Sequence, residues 1–229
     1  MQAKEVSEIY GISLEEINKR VEERVNEIWN KTKEEYNKLY TKVKEKGEDK
    51  VLEEFLKDEG LEYIPVKTFK EMVENHGRCY LAETLDAALK LNKYFPEDPA
   101  IQQCMEWYNN FVERQGEDAT KTTIQMALMD NANPFTYIYF LKNNEVNIPE
   151  DRDLSEEVSN ITSALNKWFG FRLYCGWKEN EDKYKQVEIN PINHLKNRCK
   201  LLAYMQVLEE LKIQKENEAR QNTKCGAAS

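Results

Sequence analysis

The chain has 229 residues, enough to bury a substantial core, and one third of them are charged, with 42 acidic against 33 basic side chains. The net charge of −9 argues against a general nucleic-acid coat or a binder of anionic membranes, because both partners require positive charge on the surface that meets them. Only eight glycines and six prolines occur, which excludes low-complexity and collagen-like chains, and abundant Glu, Lys, Leu and Ile suit helices.

The first residues, MQAKEVSEIY, carry charge by position four and contain no apolar stretch, so no secretory signal is expected. The longest apolar runs, such as FTYIYFL at 135–141, are too short to cross a bilayer. A soluble, cytoplasmic protein is therefore expected, or a virion component. Five cysteines, Cys79, Cys104, Cys175, Cys199 and Cys225, lie scattered without CxxC spacing and predict reduced, buried thiols.

EVSEIY followed by GISLEEINKR resembles a helix-turn-helix: Ser7 stands four residues before Gly11 and Ile17 six after it, with Val6 and Ile12 packing between. On that alternative, residues 5–25 would bind DNA through Asn18, Lys19 and Arg20. Glu15 and Glu16 oppose it, since they would meet phosphate in the first turn of the reading helix.

A capping box, Ser13 with Glu16, opens a much longer element. Its apolar positions are Leu14, Ile17, Val21, Val25, Ile28, Thr32, Tyr36, Leu39 and Val43, spaced 3, 4, 4 in repetition. That is an eleven-residue period, about 3.67 residues per turn, and it keeps the stripe almost straight along one helix. A helix from 13 to about 46 is about 50 Å long. Its narrow apolar face must lie on the rest of the chain or on another subunit. The glycine at 11 then reads as the corner between two packed helices. Gly47 ends the long helix, and VLEEFLK adds a short one before Gly60. Residues 1–60 form an N-terminal helical arm on this reading.

GLEYIPVK at 60–67 predicts an extended connector. Thr68 with Glu71 predicts a second capped helix, stopped by Gly77. YLAETLDAALKLNKYF is helical up to Pro96, and Asp98 with Pro99 opens a helix that Gly116 closes. EDATKTTIQMALMDN and the segment opened by Asn133 and Pro134 are two more. Pro99 and Pro134 lie 35 residues apart, but small residues do not recur as a tetratricopeptide repeat needs, so a plain bundle is expected.

Ser155 predicts the cap of a helix to Trp168, with Gly170 beyond it. FRLYCGW at 171–177 alternates with period two, and YKQVEIN repeats the habit, which predicts a small β-hairpin over 171–177 and 184–189. Asn190 and Pro191 open a last helix to about 220, and 223–229 reads as a flexible tail. The expected fold is mainly α: a helical bundle with a long N-terminal helix and a β-hairpin before the C-terminal helix, residues 61–222 forming the second unit.

Chemistry is hard to find in these residues. No glycine-rich phosphate loop occurs. His76 with Cys79 has usable metal spacing, but His194 and Cys199, five apart on a helix, point about 140° away from one another. No metal, cofactor or catalytic residue is assigned, and the chain reads as a non-enzyme, with an enzyme of unrecognised class as the last alternative. Two aromatic groups stand out: Trp168, Phe169, Phe171, Tyr174 and Trp177, and Phe135, Tyr137, Tyr139 and Phe140. Such residues anchor interfaces when exposed. The expected function is a protein-interaction or assembly component, an adaptor, connector or inhibitor such as viruses or mobile elements encode, that binds a protein or itself. Its candidate contact residues are Arg172, Tyr174 and Trp177 on the hairpin and Val21, Ile28, Tyr36 and Leu39 on the stripe.

Overall fold

The computed structural model describes the backbone of residues 3–132, 134–184 and 190–226, and the side chains in that range except those of 3–5, 130–135 and 221–226. The fold is mainly α, with no strand among the described residues. Helix α1 (Ala3–Tyr10) turns at Gly11 into α2 (Leu14–Lys46). Gly11 has φ 77°, a left-handed conformation that glycine adopts without strain, and its N–H donates to Ser7 O to close α1. The hydroxyl of Ser13 accepts from Glu16 N at 3.2 Å, while the Glu16 carboxylate turns to Arg20 at 3.0 Å. Gly47, at φ 87°, ends the 33-residue α2.

There follow α3 (Glu48–Asp58), α4 (Val66–Asn92), α5 (Pro99–Gln115), α6 (Glu117–Ala132), α7 (Pro134–Asn143), α8 (Leu154–Glu179), the single turn α9 (Glu181–Tyr184) and α10 (Pro191–Gly226). The α2 stripe lies on its own chain. Ile17 and Val21 are fully buried with Leu201, Tyr204 and Leu208 of α10, which runs antiparallel to α2, and with Leu91 of α4 and Ile101 of α5. Further along, Tyr36 meets Phe171 and Tyr174 of α8, with ring centroids 5.9 and 5.6 Å apart. A second core gathers α3, α4, α7 and α8 around Leu52, Phe69, Leu141 and Trp168. A third, smaller one seats α6 on α4 and α5 through Leu85, Tyr108, Ile124 and Ala127.

Several boundaries differ from the sequence expectation. The β-hairpin is not formed: Phe171 to Trp177 continue α8, and of the second strand Tyr184 ends α9 while 185–189 lie outside the described residues. The residues that alternate with period two also satisfy a helix, since Trp168, Phe171 and Tyr174 fall on one buried face three apart. Gly170 does not stop α8, because its role is space: a Cβ there would overlap the Tyr36 hydroxyl. Gly77 is likewise interior to α4, and a Cβ on it would stand 3.1 Å from the Phe169 ring.

Thr68 is buried inside the first turns of α4, whose helical residues begin at Val66 after Pro65, so it is not the cap. The cap of α8 is Asp153, whose carboxylate accepts from Ser155 N and Glu156 N, and not Ser155. The connector after Gly60 is a set of turns rather than an extended segment. Helix α10 continues to Gly226, through the first part of the expected tail, and 227–229 lie outside the described residues.

Candidate functional site

The predicted contact residues do not form one surface. Val21 and Tyr174 are fully buried and Tyr36 nearly so, which removes all three from any docking face. Ile28 and Leu39 are half-buried against the cores they help to cover. Arg172 is exposed, and Trp177 is half-buried beside Tyr174, which donates to Asn37 Oδ1 at 2.5 Å. The helical path of 171–177 therefore sends Arg172 and Tyr174 apart, where the hairpin would have put them together. Of the residues named for DNA, Asn18 accepts from the Tyr204 hydroxyl, Arg20 pairs with Glu16, and Lys19 is exposed.

His194 and Cys199 diverge as their spacing implied, whereas His76 and Cys79 line one pocket together. His194 faces a cleft formed with α4, α5 and α8, whereas Cys199 lines a different cavity beside Arg198. Burial raises the thiols of Cys104 and Cys175 to about 12 and that of Cys199 to about 11, so all three stay protonated and weakly nucleophilic at neutral pH. His76 places Nε2 2.6 Å from Asn166 Oδ1, and Asn166 in turn approaches Glu83, which binds Arg198 at 2.6 Å. With its proton on Nε2, His76 donates into this chain, and Nδ1 is buried without a partner among the described residues. Burial lowers its pKa, so the ring is neutral. Among the described residues, no three His, Cys, Asp or Glu side chains stand close enough to hold a metal.

Two features were not anticipated. The first is an open cleft of about 560 Å³. Helix α5 turns Trp107, Asn110, Phe111 and Arg114 toward it, the spacing of one helix face. Tyr80 and Leu81 of α4, Phe169 and Leu173 of α8, Tyr184 of α9 and Asn190, Pro191 and His194 at the start of α10 also line it. His194 stacks on Trp107 with centroids 5.1 Å apart and meets Tyr80 at 5.6 Å. Its pKa falls to about 4, from burial first and the nearby Arg198 guanidinium second. Gly77 shapes this wall, since its missing side chain lets the Phe169 ring lie against α4.

The second feature is the outer face of α6. Ile124 and Ala127 point inward, at 6% and 3% exposure. On the other side Met126 and Met129 stand 61% and 68% exposed, one turn apart, with Thr122 a turn before them. Tyr139 adds another exposed ring on the adjoining α7. The sequence signal for both features was present as helical spacing. Which apolar face would stay uncovered depended on neighbours distant in the chain.

Among the described residues no helix is long and apolar enough to cross a membrane. No protein-family model, curated protein or solved structure matches the chain.

Proposed function

We propose that the chain is a non-catalytic protein-interaction component, and that its docking face is the outer side of α6. The observation that carries this reading is a helix apolar on both sides. Its inner side is covered by α4 and α5, while Met126 and Met129 are held in water on the other. Adjacent exposed apolar side chains mark association surfaces, and unbranched, polarizable methionine adapts to a partner's shape. The partner chemistry that suits it is an apolar helix face or segment of another protein. The thiols of Cys104, Cys175 and Cys199 are in keeping with this reading, since burial holds them protonated and weakly nucleophilic at neutral pH.

The test places a photo-crosslinking residue on this face, Thr122→p-benzoylphenylalanine in the full chain, within its native cellular extract. The expected result is one discrete protein adduct that disappears when Met126 and Met129 are both changed to Glu. The reading fails if no protein adduct forms, or if the same adduct persists in the doubly charged variant while circular dichroism confirms an intact fold.

A further inference from the structure

We infer that the aromatic cleft between α4, α5, α8 and α10 is a binding site for a small planar aromatic anion, independent of the α6 face. Its volume of about 560 Å³ lies in the range of small-molecule sites, and its walls are mainly rings. Trp107, Phe111 and Phe169 offer faces and edges to a flat ligand, backed by the buried Tyr80 ring. The rings are fixed by packing, since Tyr80 is buried and stands 4.8 Å from Phe169, while Trp107 stacks on His194. A ligand ring entering here meets a site already formed, which lowers the ordering cost of binding.

Electrostatics selects the charge. An aromatic-lined cleft can also cage a cation through the negative faces of its rings, and neighbouring carboxylates strengthen such a site. No Asp or Glu is among the described residues of this lining. The Arg198 guanidinium already covers Tyr80, 3.8 Å from its ring centroid. Arg114 stands exposed on the lining, and among the described residues it has no ion-pair partner. Glu83 neutralises Arg198 at 2.6 Å, so Arg114 is the group that repels a cation here, and it is free to meet a carboxylate, sulfonate or phosphate group by paired hydrogen bonds. His194, Asn110, Tyr184 and Asn190 are further polar residues of the lining, the neutral imidazole offering one donor and one acceptor. The net charge of −9 weakens long-range capture of any anion, so contact with Arg114 and stacking must supply the affinity.

Calorimetric titration of the full chain with naphthoate, neutral naphthamide and a naphthyl-trimethylammonium cation tests the assignment. Naphthoate is expected to bind saturably at one molecule per chain, more tightly than the amide, with the cation weakest. Arg114→Gln, at an exposed position, is expected to weaken naphthoate about ten-fold and leave the amide unchanged. Phe111→Ala is expected to weaken both. The assignment is overturned if naphthoate does not saturate, if the cation binds best, or if neither variant alters the naphthoate affinity.

Discussion

Two glycines of α8, six residues apart, carry opposite predictions. Alanine inside a helix is worth about 1 kcal/mol more than glycine, so propensity alone favours Gly→Ala at both. At Gly176 nothing among the described residues lies within 4 Å of the added methyl, and Gly176→Ala is expected to stabilise by about 0.5–1 kcal/mol. At Gly170 the methyl meets the Tyr36 hydroxyl, which donates to Lys167 O from a buried site. Overpacking costs about 1–3 kcal/mol, so Gly170→Ala is expected to destabilise despite its propensity gain. In a Tyr36→Phe background most of that cost should vanish, because the obstructing oxygen is gone. Urea denaturation of the four variants gives the coupling directly, and additive effects would refute the steric account. His194 sets a pH dependence at the same scale. Unfolded, its imidazole takes a proton near pH 6.5; folded, only near pH 4. Between those values the unfolded chain binds the extra proton, so stability is fully present above the upper value and is lost as pH falls toward the lower. The loss from pH 7.5 to 5 is about 2 kcal/mol for this group, and buried His76, shifted the same way, adds to it. The carboxylates of Glu34 and Glu117, depressed by Lys38 and Lys121, act in a separate window below about 4.5. Melting temperatures at pH 7.5, 6 and 5 are expected to fall along this curve, and His194→Gln should flatten it.

At the scale of elements, the two ends of α8 show what could be read from residues and what could not. Sequence analysis places the cap at Ser155, and Asp153 stands two residues before it. Only the backbone path decides between them, and it gives Asp153 the bonds to Ser155 N and Glu156 N. Asp153→Ala is expected to cost about 1 kcal/mol and Ser155→Ala under half of that, measured by chemical denaturation. Equal losses would return the cap to Ser155. Long periodic elements were legible: the eleven-residue stripe of α2, its start at Ser13 and its stop at Gly47 follow from local geometry alone. So did the cap at Asp98 and the positive-φ turns at Gly11 and Gly116, where glycine is needed for the backbone itself. Gly77 and Gly170 misled because their reason is a ring contributed from elsewhere, Phe169 and Tyr36. FRLYCGW misled because a short apolar run satisfies both periods, and only the remainder of α8 shows that the helix goes on. The cleft was hidden for a related reason: Trp107, Phe111 and Arg114 share a visible helical face, but its being left open is a property of four helices together.

For the molecule as a whole, the question is what the long stripe leans on. A helix of this length is as well suited to a coiled-coil partner as to its own domain, and the choice rests on α10, whose 36 residues supply an antiparallel strip of Leu201, Tyr204, Val207 and Leu208. Charged pairs flank the seam, Arg24 with Glu210 at 3.0 Å and Lys200 with Glu22 at 2.8 Å, but partly exposed pairs add little. The stabilisation comes from the buried apolar side chains between them. It follows that the seam is part of folding and not of association. The melting temperature is therefore expected to stay constant over a roughly 100-fold dilution, since this seam joins two helices of one chain. Val21→Asp, which buries an unpaired carboxylate at a fully covered position, is expected to remove about 4 kcal/mol or more and unfold the chain. Met126→Glu with Met129→Glu, on the open face, is expected to change stability by no more than about 0.5 kcal/mol per site. Circular dichroism paired with light scattering separates the two surfaces. If Val21→Asp remained folded and only lowered the particle mass, the stripe would be an intermolecular seam, and the face of α6 would lose its claim as the place where this chain meets its partner.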